Sequence, residues 1–419
     1  MERNGLIAII IDDMVEFHAM KNGIDALAKE GLPVDIIVPG DYAERQPLLD
    51  ETYDEIAKLG YSPVRGIDGA KMYKILLEPN PVGHYFLPET ISHEFRIKYK
   101  YSLISAKPWP IYLPERSVIY DAILCYTKRE AEILGAHTKT FLISPMRYKG
   151  FKKDPSRPSG KPVLLYCPTF GEGSSIDTIE RAMNGLKEDY YIIAKTHHLT
   201  QLRDDERGRI DILERIADEY YGQSADLVGL LQRVDVVLSD NSGSIFEAIY
   251  AEVPVAVYHH ESLNSLRLEG IDTYQHQLAQ RGVLPYTFDA DGIGAVLYRA
   301  VGNREKQKAE KADFLDAEDV TKAFVDVIKQ FMGLDRDSIE YYAMHDIIRD
   351  TYARQEERVK RLEEENSFLK EEDIAHREEA DRIRRQLEED ILDLLNEKSY
   401  RLGRALTAPY RALNKKTGK

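Results

Sequence analysis

The segment 234–258, with the sequence VDVVLSDNSGSIFEAIYAEVPVAVY, carries small and hydroxyl-bearing residues at a place that could hold a phosphate group. An apolar run ends at a polar turn, a helical pattern begins near Ser244, and a second apolar run follows, which predicts strand, turn, helix and strand. Free backbone N–H groups and the positive end of the helix would face Ser242, Gly243 and Ser244, so the turn suits an anion such as the diphosphate of a nucleotide. The alternative is an ordinary turn capped by Ser or Asp.

Two other apolar runs end in residues that also suit phosphate. One leads into Thr169 and a turn with two glycines, and another leads into Lys195 and His197. Lys195 would add positive charge, while His197 could donate a hydrogen bond to a phosphate oxygen or act as an acid or base near neutral pH. Because ligands gather beyond the carboxyl ends of parallel strands, the three turns together predict a nucleotide or phosphate site, which includes Asp240.

Alternating apolar runs and helical patterns extend over most of the chain and would position these turns. The alternation covers 1–150 and restarts after a stretch rich in Lys, Pro, Ser and Gly at 148–161. Such alternation predicts parallel sheets covered by helices. We therefore expect an α/β fold of two Rossmann-like domains that face a cleft, with an acceptor domain at 1–150 and a nucleotide-binding domain at 151–335.

The composition changes after residue 335. Residues 352–395 are rich in Glu, Arg, Lys and Leu and contain neither Gly nor Pro. Apolar residues such as Val359 and Leu362 fall at a-like and d-like positions of a heptad, which predicts an α-helical coiled coil within 336–397. Asn366 in the seam would fix the register of a parallel homodimer. The alternative is a single solvated helix.

The last segment, 398–419, is a separate basic tail with an amphipathic pattern. Leu406 shares one helical stripe with other apolar residues, while Arg401, Arg404 and Arg411 lie largely off it. A basic amphipathic helix binds well to an anionic membrane surface, so we expect these four residues to contact the membrane. The alternative is a disordered basic tail with no membrane role.

The bulk composition limits the classes of function. The chain has 419 residues, of which 43% are hydrophobic, and a formal net charge of −15. The excess of negative charge argues against a surface that binds nucleic acid over the whole molecule. No apolar window reaches the roughly 18 to 20 residues of a membrane span. We expect Cys125 and Cys167 to be buried thiols in a cytoplasmic protein without a metal site or cofactor.

The motifs of the second half resemble the CDP-glycerol glycerophosphotransferase family, the teichoic-acid primases and polymerases. That family carries Pro-Thr-Trp/Phe, Lys-Pro-His-Pro and Asp-Tyr-Ser-Ser followed by Phe-Asp. The matching stretches are PTF at 168–170, KTHH at 195–198 and DNSGSIFE at 240–247, with Thr196 and His198 in place of the prolines. The resemblance implies a GT-B-like transferase that takes CDP-glycerol or another CDP-polyol as its donor.

The Ser-Gly-Ser pattern with a downstream Glu247 also resembles the UDP-N-acetylglucosamine 2-epimerases and related two-domain glycosyltransferases. In those proteins a carboxylate at this place holds ribose hydroxyls, and the resemblance implies that role for Glu247. The nucleotide base and the activated group therefore stay open.

The candidate acceptor residues lie in the first half. The CDP-glycerol family carries Trp-His-Gly-x-Pro-x-Lys, whose His is implied to activate the acceptor hydroxyl. The stretch SHEFRIK at 92–98 keeps the spacing from His to Lys. The resemblance implies that His93 is the base, and the cations Arg96 and Lys98 would bind the acceptor. The alternative is a surface helix with a solvated run of charges.

These features together predict an enzyme that moves a polyol phosphate from a CDP-activated donor to a hydroxyl of a cell-envelope glycan or lipid-linked acceptor. It would act at the inner face of the cell membrane, in the synthesis of teichoic acid, capsule or another cell-wall polymer. One alternative is a GT-B glycosyltransferase that uses a UDP- or CMP-sugar for a surface polysaccharide. The other is an inactive scaffold that acts through its coiled coil.

Overall fold

The computed structural model describes residues 6–40, 46–66, 71–79, 91–103, 117–154, 160–200, 206–258 and 273–355, together with short helical runs between 357 and 393. It divides into two compact units, Met1–Arg349 and Asp350–Lys419. The predicted α/β fold with two parallel sheets is confirmed, and both sheets belong to the first unit. Of the described residues, no helix is both long and apolar enough to cross a membrane.

The first sheet has seven strands, all parallel, in the order β3-β2-β1-β4-β5-β6-β7. The strands are β1 (Ile7–Ile10), β2 (Val34–Val38), β3 (Pro63–Arg65), β4 (Met72–Glu78), β5 (Ser92–Lys98), β6 (Ala122–Cys125) and β7 (Thr140–Leu142). Ile7 and Ile9 pack into one core, while Ala8 and Ile10 pack into another on the opposite face. A parallel sheet buried on both faces needs such continuous apolar strands.

Three helices accompany this sheet: α1 (Met14–Lys29), α2 (Gln46–Lys58) and α3 (Lys128–Gly135). The carboxylate of Asp13 caps α1 by accepting a hydrogen bond from the backbone N–H of Glu16 at 2.9 Å. Since α1 begins only a few residues after β1, this cap lies at the carboxyl edge of the sheet. The strand order also reverses here, because β1 pairs with β2 on one side and with β4 on the other.

The second sheet has six parallel strands in the order β10-β9-β8-β11-β12-β13. The strands are β8 (Val163–Cys167), β9 (Tyr191–Lys195), β10 (Glu219–Tyr221), β11 (Val236–Ser239), β12 (Val255–Tyr258) and β13 (Tyr286–Thr287). The strand order reverses between β8 and β11, so this sheet has its own crevice for a ligand beyond the carboxyl ends of those two strands.

Eight further helices follow in the chain: α4 (Ile176–Leu186), α5 (Arg207–Ile216), α6 (Leu227–Arg233), α7 (Ser244–Tyr250), α8 (Tyr274–Gln280), α9 (Ile293–Gly302), α10 (Arg304–Ala309) and α11 (Lys322–Met332). We call the first sheet with α1–α3 the first lobe, and the second sheet with α4–α10 the second lobe. The domain boundary near residue 150 stays a prediction.

Helix α11 follows the second lobe in sequence but packs on the first. The ring of Phe331 lies edge-on to Phe95 of β5, with centroids 5.0 Å apart. Phe324 comes so close to α1 that a Cβ at Gly23 would lie 2.8 Å from its ring. The chain therefore crosses back from the second lobe to the first.

The C-terminal region contains the predicted helical segment, with helices at 340–355 and 357–362 and a helical run at 382–387. Val359, Leu362, Ile383 and Leu387, the apolar heptad positions described there, are each more than half exposed in the single chain. The coiled coil itself stays a prediction. The membrane-contact residues Arg401, Arg404, Leu406 and Arg411 lie outside the described residues.

Candidate functional site

The three predicted phosphate-binding turns meet at one edge of the second sheet, because β9, β8 and β11 are neighbours and parallel. The hydroxyl of Ser239, at the end of β11, donates to the carbonyl oxygen of Cys167, at the end of β8, over 2.9 Å. The same hydroxyl lies 2.8 Å from that of Ser244. The turn after β11 is thus fastened to the turn after β8 at the point where the strand order reverses.

Asp240 is fully buried and holds the turn after β8 in place. One carboxylate oxygen accepts from the backbone N–H of Thr169 at 2.7 Å. The other accepts from the backbone N–H and the hydroxyl of Ser175, at 3.0 and 2.9 Å. Burial raises the pKa of Asp240 to about 6, although these hydrogen bonds favour the charged form. The structure therefore makes Asp240 a residue that positions the loop around Thr169.

The residues around the start of α7 are packed more tightly than an open phosphate loop. Gly243 is the N-cap residue, with a φ of −60° that any residue can adopt. The hydroxyl of Ser242 accepts a hydrogen bond from the backbone N–H of Ser244 at 3.4 Å. Both serine side chains are largely buried. A ligand at this turn would have to replace part of this internal bonding.

Glu247 contacts the 3-10 turn Met146–Tyr148, which follows the first sheet, rather than an open cleft. Its Oε1 accepts from Nη1 of Arg147 at 3.1 Å, and its Oε2 accepts from the hydroxyl of Tyr148 at 2.6 Å. Burial raises the pKa of Glu247, while the charge of Arg147 opposes this. Since both carboxylate oxygens have partners in the protein, the structure does not present Glu247 to a ribose.

Lys195 and His197 lie at the end of β9, beside the turn after β8. Burial lowers the pKa of Lys195, whose Nζ donates to the carbonyl oxygen of Thr196 at 3.2 Å. Within the described part of the chain, no carboxylate lies within ion-pair distance of this ammonium group. The imidazole of His197 packs against the ring of Phe170, with centroids 4.6 Å apart. The structure therefore brings Lys195, His197 and the loop of Thr169 together.

The first lobe closes over this edge of the second sheet through the loops of its own carboxyl edge. Oδ2 of Asp13 lies 3.7 Å from Nε2 of His198. The ring of Tyr101 stands edge-on to His198 at 5.9 Å. Nε2 of His18, on α1, lies 3.3 Å from the carbonyl oxygen of Ser224. The loops at the carboxyl edge of the first sheet therefore face the loops that follow β9 and β10 of the second sheet.

His93 is not part of this cleft. It is the second residue of β5, which places it at the amino edge of the first sheet, about 16 Å along the strand from the carboxyl edge. Its Nδ1 lies 2.7 Å from the carbonyl oxygen of Ile91, and burial lowers its pKa. The structure does not bring His93 together with Lys195 and His197.

Arg96 and Lys98 form part of a buried row of cations on one face of β5. Arg96 donates through Nε to the carboxylate of Glu78 at 2.7 Å, and Nζ of Lys98 lies 5.5 Å from the ring centroid of Tyr120. Lys100 continues the row and pairs with Glu130. The stretch is therefore a strand with internal charge partners, not a surface helix.

Sequence patterns do not reveal the part that several residues play in this site. Arg147 pairs with Glu247 and Asp226, and sequence separations of 100 and 79 residues hide these contacts. His198 was visible only as a departure from a proline. Among the described residues, no group of three or more His, Cys, Asp or Glu side chains is arranged to hold a metal ion.

Comparison with solved structures shows the same two-sheet architecture. The wall teichoic acid polymerase TagF matches with a TM-score of 0.53 at 12% identity, over 78% of this chain and 89% of that chain. S. aureus MnaA, solved with UDP, matches with a TM-score of 0.54 at 12% identity, over 79% and 98%. A protein assigned as a UDP-N-acetylglucosamine 2-epimerase from Listeria monocytogenes matches with a TM-score of 0.53 at 15% identity, over 80% and 98%.

These likenesses confirm the predicted GT-B-like fold. No family model matches the chain, and a comparison with curated proteins finds no match. At such low identities the solved structures establish the fold alone.

Proposed function

We propose that this chain is a nucleotide-dependent transferase that moves a polyol phosphate from a CDP-activated donor to a hydroxyl of a cell-envelope glycan or lipid-linked acceptor. The observation that carries the proposal is the buried ammonium group of Lys195 at the edge of the second sheet. A buried cation is costly unless an anion accompanies it, and the carboxylates of Asp13 and Asp226 act on Lys195 only from beyond ion-pair distance. A donor diphosphate would supply that anion.

The neighbouring groups support the same site. His197 lies beside the loop of Thr169. The turn at 240–243 is hydrogen-bonded to the same loop, because the carboxylate of Asp240 accepts from the backbone N–H of Thr169. Residues from all three stretches that resemble the CDP-glycerol family therefore meet at one place. Ser242, Gly243 and Ser244 would bind the diphosphate after a local rearrangement of the turn.

In the proposed reaction the acceptor hydroxyl attacks the β-phosphorus of the donor. A bond forms between the acceptor oxygen and phosphorus, the bond from phosphorus to the bridging oxygen breaks, and CMP leaves. Lys195 and His197 would stabilise the charge on the departing nucleotide. The acceptor hydroxyl must lose its proton to a base in the cleft. We propose that this base is Asp13, which lies opposite His198. Asp13 would then take the role that the family resemblance implied for His93, which lies outside the cleft.

The experiment is to offer the full chain CDP-glycerol, a UDP-sugar and a CMP-sugar with a lipid-linked glycan acceptor, and to identify the released nucleotide. Release of CMP from CDP-glycerol supports the proposal. Release of UDP from the UDP-sugar alone would favour the GT-B glycosyltransferase alternative, to which the UDP-bound structure of MnaA lends support. No release from any donor would favour the scaffold alternative.

We further propose that the helical segment at 336–397 forms a homodimer and that the tail at 398–419 contacts an anionic membrane. The exposed apolar heptad positions Val359 and Leu362 support the first proposal. A membrane-bound dimer would hold two active clefts close to a lipid-linked acceptor, which raises the effective concentration of the substrate.

A further inference from the structure

The first compact unit ends in a segment, 334–349, that lies against the amino edge of the first sheet, and we call it the anchor segment. Arg336 donates through Nη2 to Oδ1 of Asp121 and through Nη1 to Oδ2 of Asp346, each at 2.7 Å. Asp121 directly precedes β6, and its Oδ2 accepts from the backbone N–H of Arg96 at 2.8 Å. The buried carboxylate of Asp121 therefore joins the sheet to the anchor segment.

Two further contacts hold the anchor segment in place. The backbone N–H of Lys139, which directly precedes β7, donates to the hydroxyl of Tyr341 at 3.0 Å. The ring of Tyr342 stands edge-on to that of Phe95 in β5, with centroids 5.4 Å apart. The segment therefore contacts three neighbouring strands or their first turns, at the edge opposite the loops that face the second lobe.

His345, in the middle of this contact, is buried without hydrogen bonds. Its side chain is 3% exposed and stacks on the ring of Tyr341, with centroids 5.5 Å apart. Neither Nδ1 nor Nε2 has a hydrogen-bond partner among the described residues. A neutral imidazole leaves one N–H donor unpaired here, whereas an imidazolium would leave two and would also bury a charge. The contact therefore favours the neutral ring.

The charged groups around His345 do not reverse this preference. Burial is the largest effect and lowers the pKa of His345. The carboxylates of Asp121 and Asp346 favour the imidazolium, but both already accept hydrogen bonds from Arg336. The guanidinium groups of Arg349 and Arg336 oppose it. The hydrogen bond from Arg336 also holds the pKa of Asp346 low, so that this carboxylate stays charged in mild acid.

His93 is a second buried imidazole near the same charges. Burial lowers its pKa, and Asp121 and Arg349 act on it as they do on His345. Nδ1 of His93 lies 2.7 Å from the carbonyl oxygen of Ile91, which can accept from it in either protonation state. Protonation thus leaves fewer unpaired donors at His93 than at His345, and we expect His345 to be the more sensitive group.

We propose that His345 is a pH-sensitive release point, whose protonation in mild acid detaches the anchor segment from the first sheet while both sheets stay folded. Once the segment is released, the hydrated imidazole titrates near its ordinary pKa of about 6.5. The released form therefore binds more protons than the docked form as the pH falls below about 6.5, and docking weakens until the docked ring is protonated too. The start of the predicted helical segment at 336–397 lies in the anchor segment, so its attachment to the first lobe would depend on pH, whether or not the chain is a transferase.

The test is hydrogen exchange of the full chain at about pH 7.5 and about pH 5.5, measured by mass spectrometry and corrected for the intrinsic rate at each pH. We expect protection of 334–349 to fall at least about fivefold at the lower pH, with less than about a twofold change in β2. His345→Phe keeps an aromatic ring beside Tyr341 but takes up no proton, and it should limit the fall to about twofold. The matched control is His137→Phe, which changes an exposed histidine before β7 and should keep the wild-type response.

An equal fall in the wild type and His345→Phe, no fall in the wild type, or the same fall in β2 would overturn the proposal. His345→Met is a second substitution without a titrating group, and it keeps the test decisive if His345→Phe does not fold; circular dichroism checks both. NMR of the full chain with labelled histidine gives a separate readout. The resonance that is lost in the His345 variants should titrate over the pH range in which the segment is released, and its titration without a change in exchange would contradict the release.

Discussion

Arg147 donates through Nη1 to the carboxylate of Glu247 at 3.1 Å, and this buried ion pair joins the 3-10 turn after the first sheet to helix α7 of the second lobe. Burial opposes the charge of Arg147, but Glu247 and Asp226 outweigh it, and the pKa of the guanidinium is raised. The pair therefore couples the geometry of the turn at 240–243 to the position of the first lobe.

Replacing Arg147 with Met should lower the free energy of unfolding by about 3 to 5 kcal/mol, because it leaves the buried carboxylate of Glu247 without its partner. Urea unfolding at pH 7 measures this. The matched control is Arg215→Met, which breaks an exposed pair with Glu180 and should change the free energy of unfolding much less than Arg147→Met does. Equal losses in the two variants would show that the buried pair has no special role.

Asp240→Asn should remove a pH dependence of stability. The pKa of Asp240 is raised to about 6 by burial, so between about pH 4 and pH 6 the folded chain binds more protons than the unfolded one. This carboxyl thus lowers the free energy of unfolding of the wild type as pH rises through that range. We expect the wild type to lose on the order of 2 kcal/mol relative to Asp240→Asn between pH 4 and pH 6. Urea unfolding across this range measures the difference, and parallel pH curves for the two proteins would contradict it.

His197→Ala should reduce the turnover of the donor by about 10² to 10⁴-fold, because it removes a group that stabilises the departing nucleotide or transfers a proton. His93→Ala is the matched comparison, and it should retain near wild-type turnover because His93 lies at the opposite edge of its sheet. The initial rate of nucleotide release checks both. If the His93→Ala variant is as inactive as His197→Ala, His93 is the base after all, as the sequence-based prediction has it.

Leu362→Glu should convert a dimer into a monomer, because Leu362 is 54% exposed in the single chain and occupies a heptad position. Sedimentation of the full chain and the variant at micromolar concentration measures the mass. Glu357→Gln, an exposed change on the same helical segment outside the seam, serves as the control. A monomeric wild type would reject the coiled coil.

Deletion of 398–419 should weaken binding to liposomes that contain anionic lipid, and added salt should weaken the binding of the full chain. Co-sedimentation with vesicles at two salt concentrations measures this. Equal binding by the truncated and full chains would show that the tail has no membrane role.

The strands around the proposed site could be predicted from the sequence because each is a continuous apolar run bounded by polar turns. The strand 236–239 and the helix that begins at Ser244 follow the predicted pattern closely. Strand β5 was missed because Arg96 and Lys98 alternate with apolar residues and resemble a solvated charge run. Their burial depends on Glu78 and other residues far along the chain, which local patterns do not reveal.

The packing between the lobes was equally hidden. A sequence pattern shows that α11 is amphipathic but not which sheet its apolar face covers, and Phe331 packs on the first sheet. The pairing of Glu247 with Arg147 likewise joins residues that are distant in sequence. Such contacts decide which polar residues face the cleft, and the sequence does not reveal them. The catalytic role predicted for His93 therefore rested on resemblance alone.

The most direct measurement is a crystal structure of the full chain with CDP. The account predicts density for the diphosphate at the carboxyl ends of β8, β9 and β11, within hydrogen-bond distance of Lys195 and His197. Density for the nucleotide at another place, or none at millimolar CDP with this edge accessible in the crystal, would contradict it.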